Sequence, residues 1–138
     1  LDLQKQIKTL MIQNPGMQDP WHYVGDADTG LGTTFGSGWG NRGAPWANLA
    51  FRKVQPNSVE VIGGITPGGS GSLVFTLPVG YAPVSQQSLM YFTIAGNTSS
   101  VSNAPIFNVL TTGAINQNGG ATVGASAGWV HDTFSLDV

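Results

Sequence analysis

From Asn48 to the C-terminus, strand-length runs are cut at short intervals by clusters of Gly, Pro, Asn and Ser. "NLAFRKV" meets the turn "QPNS", "VEVIGGIT" meets "PGGSG", and "LMYFTIA" meets "GNTSSVSN". Within the runs the side chains alternate with period two. Val59, Val61 and Ile65 share one face, and Gly63 lies between them where a backbone or bulky side chain can approach closely. Leu73, Phe75 and Leu77 oppose Ser72, Val74 and Thr76, and Met90, Phe92 and Ile94 share a face. "PIFNVLTTGAI" runs between two loops, and the closing "DTFSLDV" alternates Phe134, Leu136 and Val138 with Ser135 and Asp137. Many short strands with turn clusters between them predict an all-β fold, an antiparallel β-sandwich or jelly roll.

The 138 residues suit one domain with a short appendage. Only 9% are charged, against roughly 25% in an average soluble domain. Gly, Ser, Thr, Asn and Gln take over the solubilising role, as expected of a loop-rich β protein. All five basic residues, Lys5, Lys8, Arg42, Arg52 and Lys53, lie in the first part of the chain, and the net charge is −2. No cationic stripe is available for phosphates or an anionic membrane, which argues against nucleic-acid binding. The lack of cysteine removes disulfides, thiolate chemistry and Cys-ligated zinc. No apolar run approaches the ~20 residues of a bilayer span, so no membrane insertion is expected, and no secretion leader is visible. Leu1 in place of Met suggests a fragment or a processed product.

The first segment, "LDLQKQIKTLMIQNPG", differs from the rest. Leu3, Ile7, Leu10 and Asn14 are spaced four, three and four apart, the seam of a coiled coil, and Pro15 with Gly16 ends the helix. A helix this short is marginal alone in water. Its predicted partners are other copies of itself, through Leu3, Ile7 and Leu10. The expected organisation is a neck helix over 1–15, a shoulder or linker over 16–34, and a β-sandwich head over 35–138.

"LVFTLPVGYAP" carries a rigid corner. Pro78 removes a ladder donor and biases Leu77 toward an extended conformation, Gly80 supplies a permissive turn, and Pro83 fixes the exit. Tyr81 reads as a buried plug whose hydroxyl is satisfied.

The ordered set "FGSGWGN", "NLAFRK", "VEVIGGI", "VFTLPVGYAP" and a terminal "FSLDV" resembles the C-terminal head domains of bacteriophage tail fibres and receptor-binding proteins. The resemblance covers Phe35 to the C-terminus. "WHYVGDADTGLG" does not map onto it and reads as the shoulder. The resemblance implies a homotrimer of β-sandwich heads at a fibre tip, joined by a short coiled coil, located on the virion and acting at the host cell surface. It implies that Trp39, Arg52, Lys53 and Tyr81 are scaffold, and that any saccharide contacts come from variable loops or subunit clefts. The expected partners are therefore a host cell-surface saccharide, two further copies of the chain, and the rest of the tail fibre or baseplate. A structural knob binding another virion protein is the alternative.

Convergent reactive groups for catalysis are few, and no enzymatic activity is expected. His22 and His131 are far apart, no serine sits in a Gly-x-Ser-x-Gly elbow, and Asp26 with Asp28 is the only acidic cluster for a glycosidase pair. Asp26-Ala-Asp28-Thr-Gly30 resembles the start of a calcium loop, but its third position is Gly and no glutamate follows. No cofactor or metal is expected. Saccharide binding needs flat apolar faces beside amides, hydroxyls or carboxylates. Three groups offer these: Trp21, His22 and Tyr23 with Asp26 and Asp28; Trp129, His131 and Asp132 beside "GGATVGASAG"; and Trp46 near Arg42 and Asn41. The candidate contacts are Trp129, His131, Asp26 and Asp28.

Overall fold

A computed structural model describes residues 2–13, 19–25, 33–36, 38–54, 56–66, 73–93, 106–118 and 128–138. The side chains of 10–13, 91–93, 106 and 118 lie outside the description. The described residues form one helix, α1 (Leu3–Gln13), and nine strands: β1 (His22–Tyr23), β2 (Gly40–Asn41), β3 (Ala50–Val54), β4 (Ser58–Thr66), β5 (Leu73–Thr76), β6 (Gln87–Thr93), β7 (Ile106–Val109), β8 (Ala114–Asn118) and β9 (Gly128–Ser135). Among the described residues no helix is long and apolar enough to cross a membrane.

The fold is all-β, in two antiparallel sheets linked through β6. The first sheet runs β1-β3-β4-β9-β6, with β2 beside the end of β4; the second runs β6-β7-β8-β5. β6 divides its pairing. Gln87 to Met90 pair with β7, and Tyr91 to Thr93 pair with β9. Side chains bridge the opening where β6 and β9 separate. Asp132 accepts the Met90 amide at 3.0 Å, and Gln87 accepts the Ser135 amide at 3.0 Å while donating to the Val138 carbonyl at 2.8 Å. These contacts give partners to backbone groups beside the divergence.

Both sheets contribute to one apolar core. Phe51, Val59, Val61, Val130 and Phe134 come from the first sheet, and Val74, Phe75, Leu89, Phe107, Val109 and Ile115 from the second. The Phe51 and Phe75 rings stack across it at 6.0 Å. Alternation accounts for most of these positions, including Val59, Val61 and Ile65 on the core face of β4. Gly63 lies on that same face with φ +145°, and a Cβ there would overlap the Leu49 backbone. The close approach expected at this glycine is therefore a backbone one.

Three expectations change. The β5 alternation is broken by a register shift between Leu73 and Phe75, so Val74 is fully buried alongside Phe75. An inserted residue turns successive side chains to one side of a sheet. Residues 106–115, "IFNVLTTGAI", form a hairpin from β7 into β8, turning at Gly113 with φ +88°. On β6, Leu89 is the core residue and Met90 is 58% exposed, so the face that carries Met90 is the outer one. Ile94 lies outside the described residues.

The corner after β5 buries Leu77 and Tyr81, with Gly80 at φ +91° between them, and the Tyr81 amide donates to the Pro78 carbonyl at 3.1 Å. Within the 16–34 segment, β1 pairs with β3, and Val24 belongs to the core. At the N-terminus, Asp2 caps α1: its Oδ1 accepts the Gln4 amide at 3.1 Å and the Lys5 amide at 3.4 Å. Leu3 and Ile7 on α1 are 67% and 45% exposed. The Leu10 side chain, and Asn14, Pro15 and Gly16, lie outside the described residues.

Candidate functional site

The outer face of the first sheet gathers the aromatic and charged residues that the core excludes. Period-two alternation turns Glu60, Ile62 and Gly64 of β4 outward, opposite the core-facing Val59, Val61 and Ile65. Register then puts Arg52 of β3 beside Glu60, and sets His131 and Trp129 of β9 opposite Ile62 and Gly64. A strip of side chains crosses the strands here. Arg52 Nε donates to Glu60 Oε1 at 3.0 Å, and Glu60 Oε2 lies 3.4 Å from His131 Nε2. His131 meets the Trp129 ring edge-on at a centroid distance of 5.8 Å.

The strip continues at both ends. The Arg52 guanidinium sits 4.2 Å from the Trp21 ring centroid, and the Arg42 guanidinium sits 4.3 Å from that of Trp46. Trp46 in turn covers Gly64, where an added Cβ would fall 2.8 Å from the Trp46 Cβ. Gly64 therefore has Trp46 packed over it and Trp129 opposite it on the neighbouring strand. Such cation–π contacts contribute ~0.5–1 kcal/mol each at exposed sites.

Trp129 and His131 thus lie on a strand, not in the loop that precedes it, and His131 has a half-exposed side chain. Asp132, grouped with them in the sequence, faces the other way and is engaged by the Met90 and Thr133 amides. Asp26 and Asp28, with Gly30, lie outside the described residues. Asn41 accepts the Leu49 amide at 2.8 Å, so its oxygen has a structural duty. Glu60 was missed by sequence reasoning. The signal was present: the turn at "QPNS" lets Val54 pair with Ser58 and hence Arg52 with Glu60.

Trp21 and His22 separate because neighbouring residues at a strand alternate. His22 turns inward, where its Nε2 lies 3.0 Å from Asp19 Oδ1 and 3.0 Å from the Tyr81 hydroxyl. Tyr81 donates to Asp19 Oδ2 at 2.7 Å, and the same oxygen accepts the Lys53 amide at 2.9 Å. Burial, followed by the hydrogen bond to Asp19 and its charge, pushes the Tyr81 phenol well above its ordinary range. A phenol held protonated in this way is a poor base or nucleophile. Lys53 lies over the Tyr81 ring at 4.7 Å. Burial lowers its pKa; the Asp19 charge opposes that shift and Lys8 adds to it. This cluster ties the chain preceding β1 to the proline corner and makes Arg52's neighbour a scaffold residue.

The strip sets partly buried indoles beside a carboxylate, guanidinium groups and an imidazole, which can form stacking contacts and hydrogen bonds. Glu60 is its one carboxylate among the described residues, whereas glycoside hydrolysis commonly employs two across the scissile bond. Among the described residues no three His, Asp or Glu side chains converge as metal ligands. No protein-family model, curated protein or solved structure matches the chain.

Proposed function

We propose that this chain is the head of a bacteriophage receptor-binding protein, a homotrimer at the tail tip that attaches the virion to a host cell-surface saccharide without catalysis. The single observation that carries this reading is the outer strip, in which Trp21, Trp46 and Trp129 are interleaved with Arg42, Arg52, Glu60 and His131. Indole faces cover the CH faces of a sugar, and the polar groups between them bond its hydroxyls. Two sheets about one core suit a β-sandwich head of jelly-roll type. The exposed Leu3 and Ile7 suit a neck that pairs in parallel with two further copies.

Weak single sites would be multiplied by three copies per head and several heads per particle, since linked sites raise avidity by ~10²–10⁴-fold. The test is competition between the purified intact protein and whole phage for host cells, with glycan-array binding alongside. Trp129→Ala and His131→Ala should each reduce competition without lowering the melting temperature. Failure of the unmodified protein to compete or bind any glycan, together with tight binding to a purified tail protein, would replace this reading with a structural knob of the fibre or baseplate.

A further inference from the structure

The first sheet is interrupted beside β4. β3 accompanies β4 from Ser58 to Ile62, and β2 takes its place at Ile65 and Thr66. A cleft of about 610 Å³ is lined by residues from both sides of this change of partner, among them Tyr23, Phe35, Gly40, Asn41 and Asn48. It shares no residue with the tryptophan strip. It is an open depression rather than an enclosed cavity.

The chemistry of the lining is specific. None of the described residues that line it carries a charge. Asn41 has its oxygen committed to the Leu49 amide, which fixes the carboxamide and leaves both Nδ2 hydrogens to donate. Asn48 is exposed, and its side chain makes no hydrogen bond among the described residues, so it offers both donors and an acceptor. Tyr23 is 41% exposed and supplies an aromatic face with a hydroxyl at its tip. An added Cβ at Gly40 would touch nothing within 4 Å, so the lining has open space at this point.

We propose that this cleft binds a single neutral sugar residue. Each sugar hydroxyl is both a donor and an acceptor, as a carboxamide is, and the apolar edge of the ring matches an aromatic face. A charged group in the same space meets no countercharge among the described lining residues. The proposal stands apart from the adhesive reading of the strip, because its residues and its evidence are different.

The test titrates the isotope-labelled intact chain with the methyl glycosides of glucose, galactose and N-acetylglucosamine, and with glucuronate as the charged counterpart. At least one neutral glycoside should shift the side-chain amide resonances of Asn41 and Asn48 saturably, in the millimolar range. Gly40→Leu should weaken that binding by about tenfold or more while Trp129→Ala leaves it unchanged. Should Gly40→Leu fail to fold, Asn48→Ala, at an exposed position, takes its place and should weaken binding in the same direction. The proposal is overturned if no neutral glycoside shifts these resonances, or if shifts are confined to the indoles of the strip. It is also overturned if the cleft variants bind like the unmodified chain, or if glucuronate binds as tightly as the neutral sugars. Loss of host-cell competition in Trp129→Ala with sugar binding in the cleft intact would separate the two sites.

Discussion

The Tyr81 hydroxyl donates to Asp19 at 2.7 Å across 62 residues of chain. That bond joins the proline corner to the segment before β1, and the same carboxylate also holds the Lys53 amide and His22. Asp19→Ala removes the acceptor shared by three donors, leaving at least one without a partner, and is expected to cost about 1–3 kcal/mol. Tyr81→Phe deletes one hydroxyl and leaves Asp19 occupied, so its cost should be smaller, about 0.5–1.5 kcal/mol. Urea denaturation of both variants checks the order. A Tyr81→Phe protein less stable than Asp19→Ala would assign the corner's rigidity to some other contact.

Alkaline titration should reveal two opposing effects in this cluster. Tyr81 has a native pKa above its unfolded value, so the native state holds its proton after the unfolded chain has released it; the stability it contributes is full below pH ~10 and falls above that. Lys53 has a native pKa below its unfolded value, so the unfolded chain binds more protons and stability rises with pH up to about 10.5. Tyr81→Phe should therefore lose less stability than the parent above pH ~10. Lys53→Met should lack the gain that the parent shows on approaching that range. Parallel stability–pH curves for the parent and both variants would rule this out.

At Gly63 the expected result is steric. Its φ of +145° disfavours any L side chain, and a Cβ would overlap Leu49 backbone atoms that cannot rotate away. Gly63→Ala should lower stability by at least about 1–3 kcal/mol. Gly40→Ala, with open space around its Cβ, should change it by less than about 1 kcal/mol. Thermal melts of the two variants should differ accordingly, and equal melting temperatures would contradict the close approach.

For the neck, the expectation is an assembly that responds to polar substitution on α1. Leu3→Ser with Ile7→Ser should shift sedimentation from three chains toward one while the head retains its melting transition, because these side chains are exposed on the single chain. A parent that sediments as one chain at micromolar concentration with the helix intact would exclude the seam.

Much of the β pattern was legible in the residues themselves. Alternation in "VEVIGGIT" placed Val59, Val61 and Ile65 on one face, and local pleating enforces that spacing wherever the strand pairs. The punctuation of "LPVGYAP" likewise announced a corner, since Pro and Gly act on their own dihedral angles. Steric rules of this kind need no partner and can be read from one stretch alone.

Partner choice could not be read in the same way. That β6 leaves β7 for β9 after Met90, that Asp132 bridges the opening, and that Val74 turns inward through a register shift all depend on which strand lies alongside. Trp129 looked like part of a loop group because nothing local indicates that β9 begins at Gly128; pairing with β4 decides it. Asp19 carried no signal at all, because its three partners are 3, 34 and 62 residues away and only the packed sheets bring them together. Backbone preference and hydrophobic alternation are properties of neighbouring residues, whereas register, burial and hydrogen-bond partnership arise from the free energy of the whole packed chain.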